Sequence, residues 1–366
     1  MKSELKSEVG GFQIRPVIYR IGHHAAWDGY DRLADFLGEP SAQIRVTALP
    51  PVTNFLMRRC FRLLFRHPAL KYYNSSHWRA ELQVCAASRL KCRQLFHFLY
   101  GEDQFLISGR WSNRRNIRLI ATVHQPPSTV SWVLNSASHF SRIDGLILMA
   151  RCQLDFWQQY LPPERLIVSP IGVDIDVFRP IPRPVVSGPH FFCLTPGRWL
   201  RDFDTLAEVI TTYNRQPRTN RVIQFRIVGP ADQAARFSAM ENVVFLHQIP
   251  DEALRLELQQ ADLLLLPLID STANMALLAG LACGCPVLAT DIGGSRDYLD
   301  DTCAFFVPPR QPAAILRTLN DIMIRPEELG SKRTAARLRA LRHAWPVAAA
   351  AVAAAYAQII ALPPNL

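Results

Sequence analysis

The stretch that decides the fold reads Ala261-Asp-Leu-Leu-Leu-Leu-Pro-Leu-Ile-Asp270 and continues as Ser271-Thr-Ala-Asn-Met-Ala-Leu-Leu-Ala-Gly-Leu-Ala-Cys-Gly-Cys-Pro-Val-Leu-Ala-Thr-Asp-Ile-Gly-Gly294. It predicts a buried strand over 262–267, a helix of small residues over 274–282 and a second buried strand over 286–290. Ser271 or Thr272 can cap the helix, and Gly284 can end it. The stretch therefore predicts a β-α-β unit of a parallel sheet.

The same alternation of apolar strand patterns and helical patterns extends outward in both directions. It predicts further strands over 16–21, 94–99, 119–123, 145–149, 166–170, 190–194, 224–228, 243–246 and 305–307. It predicts further helices over 30–37, 154–160, 204–213, 252–260 and 345–360. Such alternation is typical of α/β proteins in which helices cover both faces of a parallel sheet.

A proline-rich stretch, Arg179-Pro-Ile-Pro-Arg-Pro-Val-Val-Ser-Gly188, interrupts this alternation and is typical of a linker. We therefore predict two Rossmann-like domains, 1–178 and 189–340, joined by the linker 179–188. The last segment, 341–366, is expected to form a helix that packs back on the first domain. Ligands of open parallel sheets bind beyond the carboxyl ends of the strands, so the function is expected in the cleft between the domains.

Composition and charge narrow the class of protein. The chain has 366 residues, a net charge of +10 and 49% hydrophobic residues, which suits two cores and an anionic partner. Its eight cysteines lack CxxC spacing and its first residues lack an apolar signal, so we expect reduced thiols in the cytoplasm. Neither GxGxxG nor GxxxxGK[ST] occurs, which disfavours dehydrogenases and P-loop ATPases.

The loop before the predicted helix 274–282 is a candidate binding site for a diphosphate. A helix N-terminus presents unsatisfied backbone N–H groups and a partial positive charge. An ordinary β-α-β core unit would have no need of the adjacent Gly293-Gly294 turn. The predicted binding residues are Ser271, Thr272, Ala273, Asn274 and Met275.

This block and three others, in consistent order between about residues 16 and 320, resemble glycosyltransferase family 4, the retaining GT-B enzymes. The others are Ala121-Thr-Val-His-Gln-Pro126, Ile167-Val-Ser-Pro-Ile-Gly-Val-Asp-Ile-Asp-Val-Phe-Arg-Pro180 and Leu194-Thr-Pro-Gly-Arg-Trp-Leu-Arg-Asp-Phe-Asp-Thr-Leu206. The resemblance implies two facing Rossmann-like domains. It also implies sugar transfer from a nucleotide-sugar donor to a glycan, lipid-linked or small-molecule acceptor.

The resemblance assigns roles in the second domain. Gly197 and Arg198 stand in the family's donor loop, and Arg201 is the nearest counterpart of its second basic residue. Two glutamates of the family are absent, because Ser271 and Ala279 occupy their positions, and Asp270 is the nearest carboxylate. Two rival interpretations therefore stay open: a non-catalytic nucleotide-sugar-binding or partner protein, and a sugar-nucleotide epimerase.

The resemblance also assigns roles in the first domain. His124 follows a predicted strand and is expected near the transferred sugar. The loop Gly22-His-His-Ala-Ala-Trp-Asp-Gly-Tyr30 matches the family's glycine-rich loop beside donor and acceptor. Gly22 allows close backbone approach, whereas the polar side chains of this loop can bond sugar hydroxyls. These predicted acceptor contacts are His23, His24, Asp28 and Tyr30.

The implied mechanism is front-face attack with retention, in which the departing diphosphate is held by Arg198, Arg201 and the helix N-terminus. We expect no metal and no other cofactor. Asp174-Ile-Asp176 and Asp202-Phe-Asp204 have the DxD spelling of metal-dependent transferases, but they lie inside motifs explained otherwise.

A basic stretch in the first domain suggests contact with anionic lipid. Arg58, Arg59, Arg62 and Arg66 line one side of a helical pattern whose other side is apolar. We expect a cytoplasmic protein that can lie on the inner face of a membrane, although a solvated helix face explains the pattern equally well. Basic residues are not clustered with aromatic ones, so nucleic acid is not an expected partner.

Overall fold

The fold is described from a computed structural model over residues 8–20, 27, 29–37, 39–46, 55–56, 59–60, 63, 71–182, 189–217 and 221–365. The chain divides into two compact units. Unit 1 comprises residues 1–24, 28–172 and 345–366, and unit 2 comprises residues 25–27 and 173–344.

Unit 1 is built on a sheet of short, mostly parallel strands. The strands are β1 (Glu8–Val9), β2 (Phe12–Ile18), β3 (Ile44–Arg45), β4 (Gln94–Phe98), β5 (Ile117–Val123), β6 (Gly145–Leu148) and β7 (Leu166–Val168). Their order is β1-β2-β4-β5-β6-β7, and β3 also pairs with β2. Only the β1–β2 pairing is antiparallel within the described ladders.

The helices of unit 1 cover this sheet. They are α1 (Ser75–Ala87), α2 (Gly101–Gln104), α3 (Ser108–Trp111), α4 (Pro127–Val133), α5 (Leu154–Trp157) and α13 (Trp345–Ala361). Shorter 3-10 turns lie at Tyr30–Asp35, Pro40–Ala42, Ser138–Arg142, Arg151–Gln153 and Pro163–Arg165. Strands β4 and β5 are buried along their whole length, which explains why their sequences are continuous apolar runs.

The strand order of unit 1 changes direction between β2 and β4. The chain moves from β2 outward to β3 on one side, and then through β4, β5, β6 and β7 on the other. Such a reversal opens a crevice at the carboxyl ends of the two central strands. In unit 1 residues 19–20, directly after β2, and residues 99–100, directly after β4, lie at those carboxyl ends.

Unit 2 is built on a wholly parallel sheet. Its strands are β8 (His190–Pro196), β9 (Val222–Val228), β10 (Val243–Leu246), β11 (Leu263–Leu266), β12 (Val287–Thr290) and β13 (Ala304–Val307). Their order is β10-β9-β8-β11-β12-β13. This is the Rossmann order, whose reversal lies between β8 and β11.

The helices of unit 2 pack on both faces of that sheet. They are α6 (Phe203–Asn214), α7 (Ala234–Phe237), α8 (Asp251–Gln260), α9 (Met275–Ala282), α10 (Ser295–Tyr298), α11 (Pro312–Ile324) and α12 (Glu328–Leu341), with a 3-10 turn at Ala231–Gln233. The core contains Phe191, Leu206, Ile227 and Leu265, all nearly or fully buried. The prediction of α/β units with parallel sheets is confirmed.

Some details differ from the sequence predictions. Residues 179–182 of the predicted linker cluster with unit 2, whereas 183–188 lie outside the described residues. Residues 341–344 also cluster with unit 2, and the C-terminal helix of unit 1 begins at Trp345. The predicted helix over 30–37 is a 3-10 turn, and helix α1 was not predicted because its apolar periodicity is weak.

Candidate functional site

Two loops of unit 2 flank the reversal of its strand order. The first, 197–202, joins β8 to α6, and the second, 267–274, joins β11 to α9. The loops are bonded together, since Ile269 N donates to Leu200 O at 3.0 Å and Asp202 N donates to Pro267 O at 3.0 Å. Arg201 and Leu268 form an isolated antiparallel bridge. Backbone hydrogen bonds thus hold the two strand-end loops together, and the loops form one surface.

Arg201 is the central cation of this surface. Its side chain is 8% exposed, and burial lowers the pKa of its guanidinium to about 10. The guanidinium donates to Pro196 O at 2.9 Å, to Trp199 O at 3.3 Å and to Asn274 Oδ1 at 3.1 Å. All these acceptors are neutral, and no carboxylate pairs with Arg201 among the described residues. A buried cation without a counter-ion is suited to an anionic ligand.

Gly197 and Arg198 lie beside Arg201 but in different environments. Gly197 has φ +106°, and a Cβ there would lie 2.7 Å from Arg201 Nη2. Glycine is therefore required both for the backbone conformation and for the space that Arg201 occupies. Arg198 is exposed. Of the predicted pair, Arg201 is therefore buried and Arg198 is solvated.

Asn274 connects Arg201 to the start of α9. It is the N-cap residue, and its Oδ1 accepts from Leu277 N at 3.2 Å as well as from Arg201. The first turn of a helix has backbone N–H groups without intrahelical acceptors and a partial positive charge. Guanidinium and helix N-terminus therefore converge at one place, with Ala273 and Met275 half-buried beside it.

The loop before Asn274 is buried and tightly packed. Ser271 and Thr272 are 5% and 6% exposed, and Ser271 Oγ donates to Thr272 O at 3.1 Å. Gly293 has φ +55°, and a Cβ there would lie 2.2 Å from Ser271 O. Gly294 N donates to Ser271 O at 2.8 Å. Gly293 is thus required, because its turn touches the loop before Asn274.

Carboxylates near this surface have structural partners. Asp270 Oδ1 accepts from Ser271 N at 2.7 Å, and Ala279, at the position of the family's second glutamate, is 5% exposed. Asp174 Oδ1 accepts from Asp176 N and Val177 N, and Asp202 caps helix α6. Both DxD stretches therefore serve as turn and cap residues. Within the described ranges, no cluster of three or more His, Cys, Asp or Glu residues could hold a metal ion.

His124 stands at the carboxyl end of β5 in unit 1. Its Nε2 donates to Leu99 O at 2.8 Å, and its ring stacks on Tyr100 with centroids 4.8 Å apart. Burial lowers the pKa of the imidazole to about 4, so the ring is neutral at pH 7. His124 is therefore held in one orientation and one protonation state.

Glu102 fixes the loop that carries His124, a role that the sequence reasoning missed. It follows β4, is 4% exposed and accepts from the backbone N–H groups of His124 and Gln125. Burial raises its pKa to about 7. Burial and the charge of Glu102 also raise the pKa of Asp103 to about 7. The detectable signal was an acidic pair directly after a predicted strand, where ligands of parallel sheets bind.

Tyr30 is buried rather than open to solvent. It is 1% exposed, its hydroxyl accepts from Thr122 Oγ1 at 3.2 Å, and its ring meets the His124 ring edge-on at 5.0 Å. In this structure Tyr30 supports His124 and does not present a hydroxyl to solvent. The other residues of its loop that were predicted to bind donor or acceptor lie outside the described residues: Gly22, His23, His24 and Asp28.

The basic stretch of unit 1 is only partly described. Arg59 is exposed, whereas Arg58, Arg62 and Arg66 lie outside the described residues. In the part of the chain that the structure covers, no helix is both long and apolar enough to cross a bilayer.

Residues 192–324 match the family described as Glycosyl transferases group 1, and they include both loops around Arg201. This part of unit 2 is similar to a group 1 glycosyltransferase domain. A D-inositol 3-phosphate glycosyltransferase of Thermobispora bispora is 26% identical over 223 residues, which are 55% of this chain and 52% of that protein. The chain thus spans about half the length of the curated relatives that it matches.

Solved structures resemble the chain over nearly its whole length. Anabaena HepE in complex with UDP-glucose has a TM-score of 0.68 at 13% identity, covering 93% of this chain and 98% of that one. Sucrose-phosphate synthase of Thermosynechococcus elongatus has a TM-score of 0.63 at 17% identity, covering 95% and 99%. The chain thus has the GT-B fold of these glycosyltransferase structures.

Proposed function

We propose that this protein is a hexosyltransferase that moves a sugar from a nucleotide-sugar donor to an acceptor hydroxyl. The observation that carries the proposal is Arg201, a buried cation bonded only to neutral acceptors at a Rossmann-type reversal point. A diphosphate supplies the missing negative charge and suits the fork of a guanidinium. HepE, which has a similar fold, is recorded with UDP-glucose, so UDP-glucose is the first donor to test.

The proposed chemistry is electrostatic. Arg201 and the N-terminus of α9 stabilise the negative charge that develops on the leaving diphosphate, and exposed Arg198 adds a second cation. As the bond between sugar and diphosphate breaks, the acceptor oxygen attacks the same face, and the leaving phosphate oxygen takes the acceptor proton. The product keeps the anomeric configuration. Within unit 1, neutral His124 is a candidate hydrogen-bonding group for a sugar, and the proposed chemistry uses no metal.

The binding test uses the full chain in EDTA. Isothermal titration with UDP-glucose, and then with GDP-, ADP- and dTDP-sugars, should identify one nucleotide class that binds wild type. Arg198→Ala should weaken that class through loss of charge, whereas Arg255→Ala on α8 should not, because Arg255 pairs with Glu252. Absence of binding by every donor would contradict the proposal.

The transfer test follows with the donor that binds. Wild-type protein is incubated with donor and an acceptor panel of glycans, lipid-linked sugars and small polyols, and products are examined by NMR. The anomeric coupling constant of the new linkage should match that of the donor. An inverted coupling constant would contradict retention while leaving sugar transfer intact.

A second candidate function is nucleotide-sugar binding without transfer. Ser271 and Ala279 favour it, because neither position offers a carboxylate for the donor hydroxyls. It predicts donor binding that depends on Arg201 with no product in any acceptor assay. Detection of a transferred sugar would exclude it.

Contact with anionic membranes extends the proposal to unit 1. Arg58, Arg59, Arg62 and Arg66 would attract acidic headgroups, placing the protein at the inner face of the membrane. Sedimentation with phosphatidylglycerol vesicles tests this, and replacement of all four arginines by glutamine should abolish it.

A further inference from the structure

We propose that His97, a buried residue of β4, is a positioning residue that connects helix α13 to His124 through a series of hydrogen bonds. The inference rests on the proposed function for the role of His124 in sugar transfer, whereas the hydrogen bonds are argued from contacts within unit 1. Neither His97 nor Tyr356, the residue of α13 at the far end of the series, takes part in the mechanism proposed above.

Four side chains form this series, here called the His97 network, and each lies on a different element of unit 1. The Tyr356 hydroxyl lies 2.6 Å from His97 Nδ1, and His97 Nε2 lies 2.7 Å from Thr122 Oγ1 on β5. Thr122 Oγ1 donates to the hydroxyl oxygen of Tyr30 at 3.2 Å. All four residues are at most 1% exposed. Each polar group therefore depends on its neighbour in the network rather than on water.

The number of hydrogens fixes the direction of every bond in the His97 network. Thr122 has one hydroxyl hydrogen and donates it to Tyr30, so its oxygen accepts the hydrogen of His97 Nε2. A neutral imidazole has one N–H group, so Nδ1 accepts from the Tyr356 hydroxyl. Burial lowers the pKa of His97 to about 3, which keeps the ring neutral at pH 7. His97 is thus held as the Nε2–H tautomer.

Tyr30 extends the constraint to His124 by two routes. Its ring meets the imidazole of His124 edge-on, with centroids 5.0 Å apart. Its backbone N–H donates to the Tyr100 hydroxyl at 2.9 Å, and the Tyr100 ring stacks on His124 at 4.8 Å. Tyr30 therefore helps to fix two rings that pack against the imidazole.

Polar contacts specify the placement of α13 more sharply than apolar packing alone. A movement of Tyr356 would leave His97 Nδ1 buried without a partner, and such a group costs more free energy than its hydrogen bond contributes. Apolar side chains repack at a smaller cost when they shift. The His97 network therefore couples the position of Tyr356, 259 residues further along the chain, to the orientation of His124.

This coupling matters for the proposed reaction because a hydrogen-bonding group acts through its orientation. A His124 ring that samples several orientations would bond the sugar less well in the transition state. Donor binding would be unaffected, since the proposed donor residues lie in unit 2. Loss of the His97 network should therefore lower kcat and leave KM for the donor unchanged.

The first test is NMR of the full chain with ¹³C and ¹⁵N in its histidines. Wild type should show His97 as a single Nε2–H tautomer. Tyr356→Phe removes the donor to Nδ1 and keeps the ring, so both tautomers should appear and the His124 resonances should shift. Tyr298→Phe is the matched control, because Tyr298 is 1% exposed and its ring lies 5.3 Å from that of His343 in unit 2. It should leave His97 and His124 unchanged.

Thr122 offers two variants that separate orientation from stability. Thr122→Val keeps the size of the side chain and breaks the network, whereas Thr122→Ser keeps the hydroxyl and loses one methyl group. Thr122→Ser should retain the wild-type His124 resonances, and Thr122→Val should not. In the transfer assay, Thr122→Val and Tyr356→Phe should lower kcat about tenfold, whereas Thr122→Ser should stay within about twofold of wild type. The assays are run below the lowest melting temperature of the set.

The outcomes separate this inference from the proposed function. The expected NMR changes without donor binding or sugar transfer would refute the proposed function and keep the His97 network. An Nδ1–H tautomer in wild type, or wild-type His124 resonances in both Tyr356→Phe and Thr122→Val, would overturn the network even if transfer occurs. An equal fall of kcat in Thr122→Ser and Thr122→Val would show that His97 has only a structural role.

Discussion

Unit 1 and unit 2 place ionisable side chains of opposite type at the reversal points of their sheets. Unit 2 places the cation Arg201 there, bonded to neutral acceptors. Unit 1 places the carboxylates Glu102 and Asp103 there, both with pKa values raised to about 7 by burial. The same backbone arrangement thus carries a guanidinium in one unit and two buried, titratable carboxyl groups in the other. Fold alone does not specify the ligand, and side chains at the strand ends do.

The largest effect on donor affinity is expected from the removal of Arg201, the buried cation of unit 2. Arg201→Ala should weaken donor binding about 100-fold, because two charge-assisted hydrogen bonds to the diphosphate disappear. Arg201→Lys should give an intermediate loss, since it keeps the charge without the fork. Isothermal titration measures both. Donor affinity equal to that of Arg255→Ala would show that Arg201 is only structural.

The next-largest effect on donor affinity is expected when Arg201 is given a counter-ion. Asn274→Asp retains an N-cap oxygen and pairs it with Arg201, so the melting temperature should rise while donor affinity falls about tenfold. Asn274→Ser keeps a capping oxygen without charge and serves as the control. A donor affinity that falls equally in both variants would mean that geometry, not charge, decides binding.

A smaller effect comes from crowding the same guanidinium. Gly197→Ala places a Cβ 2.7 Å from Arg201 Nη2 at φ +106°, and should reduce unfolding free energy by at least about 1 kcal/mol and weaken the donor several-fold. Gly284→Ala is strained at φ +72° but contacts Pro180 instead. It should lose stability and keep donor affinity. Calorimetry measures the loss of stability from backbone strain in each variant. Titration shows whether donor affinity also falls, as it should only where the Arg201 guanidinium is displaced.

The smallest expected effect concerns the carboxylates of unit 1. The folded pKa of Asp103, about 7, exceeds its ordinary value of 3.8, so the native state holds the proton more tightly and its stability falls as pH rises from 4 through 7. Asp103→Asn removes this loss of stability, because the asparagine side chain stays neutral at every pH. Its melting temperature should equal that of wild type near pH 4 and exceed it by a few degrees at pH 8.

The control for this pH profile is Asp155→Asn. Asp155 is exposed on α5 of the same unit, so its substitution should shift the melting temperature by a similar small amount at every pH. A flat difference between Asp103→Asn and wild type across pH 4–8 would contradict the burial argument.

The sequence predicted most of the sheets because buried parallel strands are continuous apolar runs. The strand predicted over 262–267 is β11, Leu263–Leu266, and the strand predicted over 94–99 is β4. Strands β1 and β3 have two residues each and pair only through β2, so local periodicity could not reveal them.

The environment of the site residues was less predictable. An arginine in a loop is usually solvated, but Arg201 is buried, in part because Asn274, 73 residues further along, lies against it. Tyr30 reads as a polar loop residue, yet Thr122 and His124 enclose it. These outcomes depend on contacts between distant segments, which neither spacing nor residue type encodes.

Helix α13 has a consequence for the order of events during synthesis. Its Tyr356 hydroxyl lies 2.6 Å from His97 Nδ1, and Trp345 occupies the space beside Gly172 that a Cβ would fill. Unit 1 therefore cannot complete its core until residues 345–361 have left the ribosome. At about 5–20 residues per second, residues 173–344 take on the order of ten seconds or more to make. Unit 2 can fold in that interval, while the core of unit 1 still lacks α13.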